Sequence, residues 1–193
     1  MKPMSLRSRL SGSTVALVGN ARSLAASSLG AEIDRCSLVI RLNAAPQAAA
    51  QSHGQATHWL GVSSFVAARR LGELKPEMLL WMTPERRWRA AAAYGWRLPM
   101  LFYPQDWWRS LAAELGGARP TTGLMMIDLL RRLGGFAELR LFGFDFFQSG
   151  SLSARGLAAP PPHDFDRERE HVLGLAASDP RIRLVGPAPA EAA

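Results

Sequence analysis

Short apolar runs punctuate this chain: Thr14–Val18, Leu38–Leu42, Trp59–Val62, Met78–Met82, Pro99–Tyr103, Glu138–Phe142 and Ile182–Val185. Most are nearly continuous rather than alternating, which is how a strand reads when both faces of a parallel sheet are covered. Between most of them lie segments with helical character: Arg22–Leu29, Ser64–Leu71, Pro84–Tyr94, Asp106–Leu115, Thr122–Leu133 and Asp166–Ala176. Strand and helix in alternation predict one three-layer α/β domain, its mainly parallel sheet of about six or seven strands carrying helices on both faces. Gly30 reads as the stop of the first helix, Pro84 as a first-turn proline, and Gly134-Gly135 as the stop after Leu133.

Length and composition agree with that picture. At 193 residues and 48% hydrophobic content the chain suits one substantial domain. Residues 1–12 read as a basic N-terminal extension, 13–186 as the domain, and 187–193 as a frayed tail rich in Pro and Ala. The stretch 148–162, with Pro160-Pro-Pro162, has no period and reads as a loop over the ligand edge, either an ordering lid or a linker. Cys36 is the single cysteine, and no apolar h-region follows the basic start, so the expected setting is a reducing, cytoplasmic one. Apolar patches such as Met78–Met82 fall far short of the roughly twenty residues that span a bilayer.

The formal net charge is +7, nearly all of it arginine, since Lys2 and Lys75 are the only lysines. Arginines scattered along helix-like segments, as at Arg69-Arg70 and Arg131-Arg132, favour solvated helix faces over a nucleic-acid groove. The charge is compatible with peripheral contact to an anionic membrane surface, and no nucleic-acid partner is expected.

Chemistry concentrates where strands end. Val15-Ala-Leu-Val-Gly-Asn20 and Val39-Ile-Arg-Leu-Asn43 each deliver an asparagine to one edge of the sheet, where open α/β folds bind ligands. Taken alone, Gly19-Asn20 is ordinary turn chemistry and Ser23 an ordinary N-cap. Pro120-Thr-Thr-Gly123 opens a helix whose first N–H groups and positive dipole end suit a phosphate. His163 stands before a helix, and a lone histidine there is usually a surface or capping residue. Asp164-Phe-Asp166 admits two readings: a divalent-metal clamp for a diphosphate, or two acids favourable to a helix N-terminus. Trp107-Trp108 and Tyr103 read either as core or as an acceptor-sugar platform, with Tyr103 on the ligand side of its strand.

Three blocks together resemble glycosyltransferase family 29, the sialyltransferases. Val18-Gly-Asn-Ala-Arg-Ser23, Glu32-Ile-Asp34 and Val39-Ile-Arg-Leu-Asn-Ala-Ala-Pro46 look like the large sialyl motif. Arg119-Pro-Thr-Thr-Gly123 and Leu141-Phe-Gly-Phe-Asp145 look like the small motif, and His163-Asp-Phe-Asp-Arg-Glu168 the very small one. The resemblance implies a Rossmann-like variant of the GT-A fold. It also implies inverting, metal-independent transfer of sialic acid, or a related 2-keto sugar acid, from a CMP-sugar to a hydroxyl of a glycan or glycolipid. By the same resemblance Gly19, Asn20, Ser23, Asn43, Thr121, Thr122 and Gly123 hold the nucleotide and His163 is the general base. Glu168 steadies the helix start or orients the ring. No cofactor and no metal ligand are implied; the CMP-sugar is a substrate.

The chain departs from the animal members in lacking an anchor and the disulfide between motifs, which points to a compact bacterial-type protein. It also has no counterpart, between Gln148 and Pro162, of the aromatic third motif that helps bind phosphate. Two other readings therefore stand beside transfer from CMP. One is a catalytically weak nucleotide-binding accessory protein, and the other a metal-dependent transferase using a UDP- or GDP-sugar.

Overall fold

A computed structural model describes residues 3–95, 97–152 and 163–186. All seven expected strands form: β1 (Thr14–Val18), β2 (Leu38–Leu42), β3 (Trp59–Val62), β4 (Met78–Trp81), β5 (Met100–Phe102), β6 (Glu138–Phe142) and β7 (Ile182–Val185). They make one sheet in the order β5-β4-β3-β2-β1-β6-β7, with every neighbouring pair parallel. The chain builds outward from β1 to β5, then returns to the far side of β1 for β6 and β7. That reversal opens a crevice beyond the C-terminal ends of β1 and β6, the topological switch point of the sheet.

Both faces of the sheet are covered, and successive strand residues serve different cores. Val15 and Leu17 pack with Leu38 and Ile40 in one buried cluster, while Ala16 and Val18 pack with Val39 in another. Helix α1 (Pro3–Leu10) adds fully buried Leu6 and Leu10 to the first cluster. Residues 1–12, which the sequence presents as a basic extension, thus include a helix docked on the core.

The first helix-like segment, Arg22–Leu29, does not form one regular helix. A 3-10 turn covers Arg22–Ala26, and α2 (Gly30–Asp34) begins at the glycine expected to end a helix. The reason is packing. A Cβ on Gly30 would lie 1.9 Å from the carbonyl oxygen of Ala50, the first residue of α3 (Ala50–His53). Glycine is there so that two short helices can touch.

Helices α4 (Ala68–Leu74), α5 (Arg87–Tyr94) and α6 (Gln105–Glu114) start within a few residues of their expected places. Pro84, however, lies ahead of α5 and not in its first turn, because Arg86 at φ +56 breaks the helix before Arg87. Then comes α7 (Thr122–Leu133), in which every residue from Gly123 to Leu130 is buried. Fully burying one large apolar side chain contributes about 1.5–3 kcal/mol, so α7 is a main anchor of the fold. Thr121 caps it, its hydroxyl accepting from the Leu124 amide at 3.1 Å, and Gly134 (φ +64) ends it. Helix α8 (Phe165–Ser178) closes the same side.

The proposed loop 148–162 is described as far as Leu152, whose amide donates to the Asn20 carbonyl at 2.8 Å. The rest of that loop, and the tail 187–193, lie outside the described residues. No described helix is long and apolar enough to cross a membrane.

Candidate active site

A pocket of about 230 Å³ sits in the crevice at the switch point, built from the ends of three strands and the starts of two helices. Gly19, Asn20 and Ala21 follow β1, Leu42 and Asn43 come at the end of β2, and Gly143 to Phe147 follow β6. Thr121, Thr122 and Gly123 come from the start of α7, and His163, Phe165 and Glu168 from the start of α8. Of the residues singled out from the sequence, Gly19, Asn20, Asn43, Thr121, Thr122, Gly123, His163 and Glu168 therefore line one pocket.

Ser23 does not line it. It lies inside the 3-10 turn, caps no helix, and donates to Asp145 Oδ2 at 2.9 Å. The same carboxylate oxygen accepts from the Ser149 amide at 3.1 Å and from the Ser149 hydroxyl. Ser23 thus holds Asp145, itself in the pocket wall.

The glycines at the base are there for close approach. A Cβ on Gly19 would stand 2.4 Å from the Gly143 carbonyl oxygen, and one on Gly123 would stand 2.8 Å from the Phe144 ring. Backbone cannot swing aside as a flexible side chain can. Gly19→Ala is expected to cost about 2 kcal/mol of stability, measured by denaturant unfolding, and to spread β1 from the turn after β6.

The two asparagines knit strand ends together. Asn20 Nδ2 donates to the Leu42 carbonyl at 3.2 Å. Asn43, held at φ +54, accepts the Ser63 amide on Oδ1 at 3.1 Å. Its Nδ2 is 3.4 Å from Thr122 Oγ1, which donates to Ser63 Oγ at 2.8 Å. Ser63, one residue beyond β3, was not picked out from the sequence. Its place at the same C-terminal edge is the signal that would have found it.

At the start of α7 the orphan N–H groups can be accounted for one by one. Glu168 Oε1 takes the Thr121 amide at 2.7 Å, and the Thr121 hydroxyl takes Leu124. The amides of Thr122 and Gly123 are left without a partner among the described residues. Two free donors and the positive end of a 12-residue helix thus open into the pocket.

Glu168 plays a different part from either role expected of it. Its own helix is capped by Asp164, which accepts the Arg167 amide at 3.1 Å. Both Glu168 oxygens go instead to Thr121, the second at 2.6 Å from the hydroxyl, tying α8 to α7. The carboxyl is 3% exposed, and burial pushes its pKa up to about 7 against the lowering effect of the Thr121 bonds. Near neutral pH a substantial fraction is therefore uncharged, which leaves the helix dipole largely uncancelled.

His163 Nδ1 lies 2.6 Å from the carbonyl oxygen of Arg119. A carbonyl only accepts, so Nδ1 carries the proton and Nε2 presents a lone pair. Burial depresses the pKa of the ring, and the Arg119 charge adds to that, partly opposed by the carbonyl bond. Arg119 is itself fixed, its guanidinium reaching Glu85 at 2.7 Å and Thr83 at 3.2 Å. The result is a neutral imidazole held in one tautomer.

Behind the histidine stands an aromatic stack that the sequence did not single out. Phe147 and Phe165 lie face to face at 4.5 Å and 14°, and the His163 ring is 6.0 Å from Phe165. Phe146 and Phe147 adopt φ of +53° and +70°, conformations that bulky residues avoid unless neighbours enforce them. The strained turn after β6 presses one ring against the start of α8.

Other candidates resolve away from the pocket. Tyr103 is 1% exposed, its hydroxyl donating to Asp128 at 2.5 Å, because β5 is the far edge strand and the ring turns under the sheet. Trp107 and Trp108 pack half-buried on the same core, Trp107 edge-on to Tyr103 at 6.2 Å. Asp164 is spent as a helix cap and pairs with Arg167 at 3.2 Å. Among the described residues no group of three His, Cys, Asp or Glu is placed to hold a metal ion.

Comparison with known proteins follows this geometry. The sequence model of glycosyltransferase family 29 (sialyltransferase) matches residues 4–58. A mammalian sialyltransferase in complex with Gal-beta-1-3GalNAc-ortho-nitrophenol is similar in structure, with a TM-score of 0.65 at 23% identity, over 96% of this chain and 74% of the other. A second mammalian sialyltransferase structure gives 0.65 at 24% identity, covering 91% and 69%. The sialyltransferase CstII from Campylobacter jejuni, in complex with the substrate analogue CMP-3FNeuAc, gives 0.56 at 16%, covering 89% and 78%. No curated protein matches in sequence. The chain thus matches the family 29 model over residues 4–58, and its fold is similar to that of a solved sialyltransferase over 96% of its length.

Proposed function

We propose that this protein transfers sialic acid, or a related 2-keto sugar acid, from its CMP-activated form to a hydroxyl of a glycan or glycolipid. The reaction inverts the anomeric centre in one displacement and needs no metal. The observation that carries this reading is the juxtaposition of a neutral, tautomer-locked imidazole with a helix N-terminus bearing two free amides. The acceptor O–H gives its proton to His163 Nε2 as its oxygen bonds to the anomeric carbon. The bond from that carbon to phosphate oxygen breaks, and CMP leaves with the electron pair. The Thr122 and Gly123 amides, with Asn20 and Asn43 alongside, receive the growing phosphate charge through preorganised dipoles.

A monophosphate leaving group makes a metal clamp unnecessary, because aligned N–H donors can do that work. Isothermal titration with CMP, UDP and GDP, with and without EDTA, tests the reading. CMP should bind equally well with and without EDTA and at least tenfold tighter than UDP or GDP. Absence of CMP binding overturns the proposal, and EDTA-sensitive UDP binding would replace it with a metal-dependent transferase.

A further inference from the structure

Among the described residues the pocket wall holds two acids, Asp145 and Glu168, one neutral imidazole, and no lysine or arginine. For a site argued to take a phosphate, in a chain of net charge +7, that is an odd inventory. A buried arginine lies close behind the Gly19-Asn20 turn. Arg41, on β2 opposite Val18 of β1, is 1% exposed, and it lines a crevice together with Gly19 and Asn20. That crevice, lined also by His53 and too tight to hold a water molecule, shares the Gly19-Asn20 turn with the main pocket.

A guanidinium buried this deeply normally finds a carboxylate. Arg41 has none within ion-pair distance among the described residues. Its Nε donates to the Ala56 carbonyl at 2.8 Å and to Thr57 Oγ1 at 3.1 Å, and one terminal nitrogen donates to the His53 carbonyl at 2.8 Å. Those neutral acceptors orient the fork without cancelling its charge. The carboxylate it feels most is Asp34, which is occupied by the Gln55 and Ala56 amides at 2.9 Å; the Arg70 guanidinium is the other charge near it. Burial brings its pKa down to about 10, so it stays protonated at neutral pH. In the same crevice His53 Nε2 is buried with no hydrogen-bond partner among the described residues.

We infer that Arg41 is the cation of the phosphate site, acting through the Gly19-Asn20 turn without touching the ligand. This rests on the CMP reading of the pocket and deepens it. A full charge in a low-dielectric wall reaches across the turn, where a surface arginine would be screened. Leaving it without a carboxylate makes folding costlier, a pattern expected where charge is reserved for a ligand. Arg41 is thus a positioning residue whose effect is electrostatic. It should favour ligands by their charge and be indifferent to their base.

The test compares CMP with cytidine, which differ by the phosphate. Wild type, Arg41→Gln and Arg41→Lys are titrated with each by calorimetry, and thermal shifts are recorded with inorganic phosphate. Arg41→Gln should weaken CMP on the order of tenfold while cytidine affinity stays within twofold. Arg41→Lys, which keeps the charge but not the planar fork, should retain most of the CMP preference while melting earlier. Equal weakening of CMP and cytidine, or no weakening, overturns the inference, as does a folded lysine variant that has lost the CMP preference. If the wild type binds neither nucleotide, the proposed function fails instead. Stabilisation by inorganic phosphate, present in the wild type and lost in Arg41→Gln, then upholds the charge role, and its absence from the wild type ends it.

Discussion

Replacing His163 by Ala is expected to lower sugar transfer by about a hundred- to ten-thousand-fold while CMP affinity changes no more than a few-fold. The asymmetry follows from geometry. The Nδ1 proton is committed to the Arg119 carbonyl at 2.6 Å, so Nε2 is the atom free to act, and in the proposed reaction it takes the acceptor's proton. The nucleotide is argued to rest on α7 and the strand ends, which the substitution does not touch. The pH profile carries a second signature. Burial first, and then the Arg119 charge, lower the imidazole pKa below its ordinary 6.5, so the base stays neutral further into the acid range. Transfer should be flat above pH 6.5 with respect to this group and fall only below it, and that acid limb should vanish from the residual activity of His163→Ala. Steady-state kinetics with a CMP-sugar over pH 5 to 8 would show it. A variant retaining wild-type turnover would remove His163 from the chemistry.

Glu168 should make folding stability depend on pH, in the direction opposite to an ion-paired acid. Its folded pKa, about 7, lies above the 4.5 of an unperturbed glutamate. The folded state therefore holds its proton over a range where the unfolded chain has released it. The stabilisation is complete below pH 4.5 and is lost progressively as pH rises through 7. Its size is about 3 kcal/mol for a group this buried. Glu168→Gln keeps the shape and has no proton to lose. Relative to wild type it should gain about 3 kcal/mol between pH 4.5 and 8. Urea unfolding of both proteins at the two pH values, taken as a difference so that other titrating groups cancel, measures it. A wild-type-minus-variant difference that does not move with pH would contradict the assignment. The link to function is the α7 terminus: a protonated Glu168 still bonds Thr121 but does not compete with a phosphate for the dipole.

Much of the architecture was legible because parallel strands covered on both faces have little choice of composition. Thr14–Val18, Leu38–Leu42, Trp59–Val62, Glu138–Phe142 and Ile182–Val185 formed as strands at those bounds. Helix α7 was equally clear, since a capping threonine, a dense apolar stripe and a terminal glycine agree. The short helices were not, for a reason visible at Gly30. A glycine that permits 1.9 Å crowding against Ala50 looks, along the chain, like one that stops a helix. Helix α1 was missed because three arginine or lysine residues near the start, Lys2, Arg7 and Arg9, masked two leucines whose burial depends on what stands opposite.

The site divides along the same line. That strand ends Gly19-Asn20 and Leu42-Asn43 would meet the Thr-Thr-Gly helix start follows from strand polarity, and the structure brings them into one pocket. What each side chain does there depends on partners remote in sequence. Ser23 meets Asp145 across 122 positions, and Glu168 meets Thr121 across 47. Tyr103 left the ligand edge because its strand became the outermost one, beyond reach of the switch point.

Local order determined which segments became strands and helices, and which small polar groups sat at the strand ends. Tertiary structure alone decided the strand order, the tautomer of His163, the burial that raises the Glu168 pKa and the burial of Arg41. The physical reason is that pattern and capping act over a few residues, whereas protonation and charge respond to everything packed around a group.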